Sequence, residues 1–117
     1  MKKKIIIADD DIGILDCISM MLEFGGYEVT PVSNGNELLS MKEYPDLLLL
    51  DIWMSGVDGR DICKKLKTQE GTRNLPIILV SASKDIERSA RVAGADDFLS
   101  KPFEMDELFL KIEKLIA

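Results

Sequence analysis

The sequence has no histidine and only two cysteines, Cys17 and Cys63. The missing histidine excludes a histidine base, metal ligand or phosphate carrier within this chain, so any histidine chemistry has to come from a partner. The cysteines lie in helical patterns without Cys-x-x-Cys or Cys/His spacing. We therefore predict two reduced, mostly buried thiols rather than a redox or zinc site.

Long apolar runs are also lacking. No run approaches the roughly 18 residues that cross a bilayer, and the lysines at 2–4 lead into a strand-length run rather than a signal-peptide core. We therefore expect a cytoplasmic protein that does not contact the membrane. The net charge of −6 argues against binding nucleic acid directly through overall charge, although it does not exclude a local basic patch.

The most informative stretch is Leu47-Leu48-Leu49-Leu50, which ends abruptly at Asp51 and is followed by turn residues. A continuous apolar run of this length is typical of a strand buried on both faces of a parallel sheet. Asp51 would then lie at the carboxyl end of the strand, where open α/β sheets bind ligands. Asp51 could equally serve only to cap the next segment, and this strand alone does not decide between the two.

The length of 117 residues fits one domain, which we assign to residues 1–117. Strand-like runs at 4–8, 28–30, 47–51, 76–80 and 98–99 alternate with helical patterns at 12–24, 34–44, 61–67, 84–92 and 104–116. Asp11 is the expected cap of the first helix. The alternation predicts an α/β domain with a doubly wound, five-stranded parallel sheet, the flavodoxin-like (βα)5 architecture.

Several predicted strands end in, or are followed by, polar residues that helix capping and turns do not fully explain. These residues are Asp9 and Asp10, Asp51, Ser81, and Lys101. In a parallel sheet they gather at one edge. Three clustered carboxylates repel one another unless a cation lies between them, and an all-oxygen set selects a hard cation such as Mg²⁺. A serine hydroxyl and a lysine ammonium suit a bound phosphoryl group, and the facing aspartate can attack phosphorus to give an acyl phosphate.

This ordered set resembles the response-regulator receiver domain of two-component signalling, similar to the single-domain chemotaxis type, over residues 3–116. The resemblance implies that Asp51 is the phosphoacceptor. It also implies a Mg²⁺ site in which Asp10 binds the ion directly and Asp9 mainly through water, completed by Asp51 and the backbone carbonyl of Trp53.

The same resemblance implies further roles near the site. Ser81 would be the switch hydroxyl, Phe98 the switch aromatic and Lys101 the phosphate-binding lysine. The Lys101–Pro102 bond is expected to be cis, and the strand order is expected to be 2-1-3-4-5. An aromatic residue at position 98 would also pack well without any switching role, so that interpretation stays open.

The family further implies a phosphorelay switch rather than an enzyme: the domain would catalyse only its own phosphorylation and dephosphorylation. The phosphoryl donor would be a histidine kinase or a histidine phosphotransfer protein. A downstream effector or output domain would read the surface of the fourth helix, fifth strand and fifth helix (α4-β5-α5), through which the family also forms homodimers. The sequence leaves open the cognate kinase, the output, the phosphoryl lifetime, the oligomeric state and whether the domain stands alone.

Three residues depart from the family pattern. Ser55 replaces the usual proline, which we expect to loosen the loop beside Asp51; Trp53 is bulky and would shield an acyl phosphate; and Ser81 replaces threonine.

Alternative functions fit less well. A phosphatase of the haloacid-dehalogenase kind needs an aspartate at position 53, and a flavodoxin needs a Ser/Thr-rich loop where this chain has Asp9-Asp10-Asp11. The remaining alternative is a receiver-like protein-binding module that is never phosphorylated. Whether Mg²⁺ and a phosphate mimic change Trp53 fluorescence would distinguish such a module from a switch.

Overall fold

The computed structural model describes residues 2–54 and 56–116. Its strands are β1 (Lys4–Ala8), β2 (Glu28–Val32), β3 (Leu47–Asp51), β4 (Trp53–Met54), β5 (Val57–Asp58), β6 (Ile77–Ser81) and β7 (Asp97–Ser100). Five of them form one parallel sheet in the order β2-β1-β3-β6-β7, while β4 and β5 form a small antiparallel pair. If only the five strands of the parallel sheet are numbered, their order is 2-1-3-4-5. The predicted sheet and its strand order are therefore confirmed.

The helices are α1 (Ile12–Phe24), α2 (Gly59–Thr68), α3 (Ile86–Ala93) and α4 (Met105–Ile116), together with a 3₁₀ helix (Gly35–Leu39). The expected cap of α1 is confirmed, because the Asp11 side chain accepts a hydrogen bond from the Ile14 amide at 3.2 Å. Helix α2 begins two residues earlier than predicted because Asp58 caps it, accepting from the Arg60 amide at 2.9 Å.

The second predicted helix, over 34–44, is wrong in both type and length. The chain forms only the short 3₁₀ helix, because side chains that follow it compete for its carbonyl groups. The Ser40 hydroxyl donates to the Glu37 carbonyl at 3.4 Å, which the Ser40 backbone amide also contacts, at 3.3 Å, in the 3₁₀ pattern. Tyr44 donates from its hydroxyl to the Leu38 carbonyl at 3.2 Å. These bonds turn the chain away before an α-helix can extend.

The four leucines of β3 divide between two hydrophobic cores because side chains alternate along a strand. Leu48 and Leu50 pack in the core that contains the buried faces of α2 and α3. Leu47 and Leu49 pack in the core that contains those of α1 and α4. Burial of one leucine side chain stabilises the fold by about 1.5–3 kcal/mol. Because both faces of this central strand are buried, every position of the run is best filled by an apolar residue.

The cysteine prediction is half right. Cys63 is buried in α2, and burial raises the pKa of its thiol to about 11. Cys17, in contrast, is exposed on α1, because that helix is apolar on its outer face as well as its inner one. Among the described residues, none of the helices combines the length and the apolar character needed to cross a membrane.

Candidate functional site

The parallel sheet brings the predicted polar residues together at its carboxyl edge. Asp51 is the last residue of β3 and lies opposite Val80, while Ser81 ends β6. Lys101 follows β7, and its amide donates to the Ser81 carbonyl at 2.9 Å, which fixes the start of the loop after β7 against the end of β6. The positions predicted from strand ends therefore share one edge, as a parallel sheet requires.

Three carboxylates form a tight acidic cluster there. One oxygen from each of Asp9, Asp10 and Asp51 lies within 4.8 Å of the others. Asp9 and Asp51 are buried, at 5% and 8% exposure, whereas Asp10 is exposed. The Asp11 amide donates to Asp9 Oδ1 at 3.0 Å and so orients that carboxylate. The cluster therefore has two buried members and one that faces solvent.

Lys101 bridges the two buried carboxylates. Its Nζ lies 3.1 Å from Asp9 Oδ2 and 3.1 Å from Asp51 Oδ1. Burial opposes the charge on Lys101, but the Asp51 and Asp9 carboxylates outweigh that effect and raise the pKa of its ammonium. One ammonium thus balances only part of the charge of three carboxylates.

The environment of Asp51 makes its carboxyl harder to ionise than that of an aspartate in water. Burial, followed by the negative charge of Asp9, raises its pKa to about 6, and Lys101 offsets only part of this rise. A divalent cation would complete the charge balance, and three carboxylates without nitrogen or sulfur ligands match the preference of Mg²⁺. The residues present thus fit the metal that the sequence predicts.

Ser81 and Phe98 lie on the neighbouring strands β6 and β7. Ser81 is 1% exposed, and its Oγ accepts from the Ser83 amide at 3.1 Å. Phe98 is partly buried against the α2/α3 core and lies opposite Leu79 in the sheet, so the structure does not place it in the charged cluster itself. Lys111 covers its ring, with Nζ 4.6 Å from the ring centroid. The Lys101–Pro102 bond is cis, as the family resemblance implied.

Trp53 is 61% exposed, and its ring faces the guanidinium of Arg60, whose central carbon lies 5.0 Å from the ring centroid. Arg60 also pairs with Asp58, and this hydrogen bond lowers the pKa of the Asp58 carboxyl. The sequence analysis missed Arg60. One feature of the sequence could have pointed to Arg60: it lies two residues after Asp58, the aspartate that caps α2. Ser55, on which the loosened-loop expectation rests, lies outside the described residues.

Comparison with known proteins agrees with this geometry. The family model for the response regulator receiver domain matches residues 5–113. The transcriptional regulator RpaA of Synechocystis sp. is 34% identical over 97% of this chain and 48% of its own length. The response regulator MprA of Mycobacterium leprae is 37% identical over 97% of this chain and 50% of its own. The chain thus spans about half the length of these curated relatives.

This chain covers solved structures of isolated domains over almost their whole length. The receiver domain of NtrX from Brucella abortus is 32% identical, with a TM-score of 0.85 over 96% of this chain and 97% of that one. The chemotaxis protein CheY4 of Vibrio cholerae is 26% identical, with a TM-score of 0.88 over 98% of this chain and 99% of that one. The match over nearly the whole chain, together with the acidic cluster and its lysine, leads to one conclusion: the chain belongs to the response regulator receiver domain family.

Proposed function

We propose that this domain is a phosphoacceptor switch in which Asp51 takes a phosphoryl group from a phosphohistidine of a partner, in a Mg²⁺-dependent reaction. The partner would be a histidine kinase or a histidine phosphotransfer protein. The observation that carries the proposal is the position of the Asp51 carboxylate, 3.1 Å from the Lys101 ammonium and within 4.8 Å of the Asp9 and Asp10 carboxylates. That arrangement suits phosphoryl transfer better than proton transfer.

The metal would be held by the carboxylates of Asp9, Asp10 and Asp51 together with the backbone carbonyl of Trp53. When bound, Mg²⁺ supplies positive charge that offsets the carboxylates and the oxygens of the incoming phosphoryl group.

Asp51 is the nucleophile in this scheme. Its carboxylate oxygen bonds to phosphorus as the P–N bond of the phosphohistidine breaks, and the bonding pair returns to the imidazole nitrogen. Lys101 lies 3.1 Å from Asp51, which supports the proposal that its ammonium donates to the oxygens of the transferred group. The carboxyl has to be ionised to attack, and its pKa of about 6 leaves most of it ionised at neutral pH.

The signal would then pass from Ser81 to the surface. The acyl phosphate adds a charge of about −1.5 to −2, and the Ser81 hydroxyl moves toward the new oxygens. Phe98 fills the space that Ser81 leaves, and the α3–β7–α4 surface changes. We expect the downstream effector or output domain, or a second copy of the domain, to bind that surface, which is the α4-β5-α5 surface of the family expectation.

The mechanism is tested by the fluorescence of Trp53, the single tryptophan of the chain. Mg²⁺ followed by beryllium fluoride, a phosphate mimic, should change the emission in two steps, and Asp51→Asn should abolish the second. An emission that neither addition changes, in a protein shown to be folded, would favour a protein-binding module that is never phosphorylated.

A further inference from the structure

Arg60 contacts the indole of Trp53 from the first turn of α2. The 5.0 Å separation between its central guanidinium carbon and the ring centroid is within the range of a cation–π interaction. Trp53 also lies directly opposite Asp58 in the β4–β5 pair. We call Asp58 and Arg60 together the Trp53 clamp.

The guanidinium is itself held in place. Arg60 donates from Nε to Asp58 Oδ1 at 3.0 Å and from Nη2 to Asp58 Oδ2 at 2.7 Å, which is a bidentate pair. The same Asp58 caps α2, and the Gly59 amide donates to the Ile52 carbonyl at 2.7 Å. A planar guanidinium in a bidentate pair loses less conformational freedom per contact than a lysine would. The clamp is therefore fixed to the backbone that carries Asp51.

The clamp lies between the two loops that lead away from the candidate site. Trp53 lies in β4, within the connection from β3 to α2, and is two residues from Asp51. Arg60 lines a surface cleft together with Asp85, which belongs to the loop that follows Ser81, and the charge of Asp85 adds to the stabilisation of the guanidinium. Because the indole is 61% exposed, it has room to leave this position when nothing holds it.

We propose that Arg60 is a positioning residue that holds the indole of Trp53, two residues along the chain from Asp51, in the conformer that shields the acyl phosphate. Arg60 would in this way set how fast water removes the phosphoryl group. The proposal rests on the proposed function, because it requires an acyl phosphate on Asp51. In that hydrolysis a water oxygen bonds to phosphorus and the bond to the Asp51 oxygen breaks, which releases inorganic phosphate and restores the carboxylate. An exposed cation–π contact shifts the population of the held conformer by about two- to fivefold.

The test compares Arg60→Gln and Arg60→Lys with Arg88→Gln, which removes the same charge from the same cleft. Acrylamide quenching of Trp53 is measured first, without Mg²⁺ or phosphodonor. It should increase in Arg60→Gln, increase less in Arg60→Lys, which keeps the charge but loses the bidentate pair, and stay unchanged in Arg88→Gln.

The second measurement follows the loss of the phosphoryl group by intact-protein mass after loading with acetyl phosphate and Mg²⁺ and removing the donor. Arg60→Gln should lose it about two- to fivefold faster than the wild type, and Arg88→Gln at the wild-type rate. If Arg60→Gln fails to fold by circular dichroism, the same comparison is made with Arg60→Lys.

Each outcome decides a different step. Unchanged quenching in the Arg60 variants would overturn the clamp. Increased quenching with an unchanged rate of loss would overturn its effect on the phosphoryl lifetime. If the wild type forms no adduct, the proposed function fails and the effect on lifetime fails with it, whereas the quenching result still decides whether Arg60 holds the indole.

Discussion

Replacing Asp51 with asparagine should stabilise the metal-free protein. Burial and the charge of Asp9 raise the pKa of Asp51 from 3.8 to about 6, so the folded chain holds this proton more tightly than the unfolded chain does. The contribution of Asp51 to stability therefore falls as the pH rises from about 4 through about 6. Each pKa unit corresponds to about 1.36 kcal/mol, so the shift of Asp51 lowers the free energy of unfolding by about 3 kcal/mol above pH 6.

Asp51→Asn removes this pH-dependent cost while Lys101 keeps Asp9 as a partner, at 3.1 Å. We expect its free energy of unfolding to exceed that of the wild type by about 1–3 kcal/mol at pH 7.5 in EDTA; the net pKa of about 6 already includes the favourable contact with Lys101 that the variant loses. The difference should shrink toward zero near pH 4. Mg²⁺ should reduce it at pH 7.5, because the cation relieves the same repulsion in the wild type.

The assay is urea unfolding followed by circular dichroism at several pH values, with and without Mg²⁺. The control is Asp16→Asn, which changes an exposed aspartate of α1 and should shift stability by less than about 0.5 kcal/mol. An Asp51→Asn protein that is no more stable than the wild type at pH 7.5, or equally stabilised at pH 4, would show that the charge on Asp51 does not destabilise the fold.

Three further changes test other parts of the site. Lys101→Ala should still accept some phosphoryl group from acetyl phosphate but should fail to change the α3–β7–α4 surface, as followed by amide chemical shifts; a normal surface response would contradict its role. Trp53→Asn should lose the phosphoryl group faster than the wild type in the mass assay, and an unchanged rate would remove the shielding role. Gly59→Ala should lower the free energy of unfolding, measured in urea, by about 1–3 kcal/mol. The added Cβ would meet the Asp51 carbonyl oxygen and lie 3.0 Å from Ile52 Cα. A variant as stable as the wild type would show that the backbone shifts to make room.

Much of the fold could be predicted because its signals are local. The run Leu47–Leu50 indicates a strand buried on both faces, and the structure divides its side chains between two cores. Once the strands are taken as parallel, the juxtaposition of Asp9, Asp51 and Lys101 follows from topology alone. The sequence therefore predicts which residues gather, while their distances depend on the folded backbone.

The features that the sequence did not predict depend on tertiary contacts that residue spacing does not specify. The 3₁₀ helix ends early because Ser40 and Tyr44 take carbonyls that an α-helix would use. Cys17 is exposed on a helix that also exposes Met20 and Phe24, so an apolar side chain on α1 does not reveal which face is buried. The contact of Arg60 with Trp53 depends on side-chain conformations that spacing does not specify.

The mass of the intact protein shows whether Asp51 accepts a phosphoryl group in a Mg²⁺-dependent reaction. The protein is incubated with acetyl phosphate, with Mg²⁺ or with EDTA, beside Asp51→Asn. We predict one added phosphoryl group in the wild type with Mg²⁺, and none in EDTA or in the variant. An adduct that persists in Asp51→Asn, or no adduct in a folded wild type with Mg²⁺, would show that Asp51 is not the phosphoacceptor.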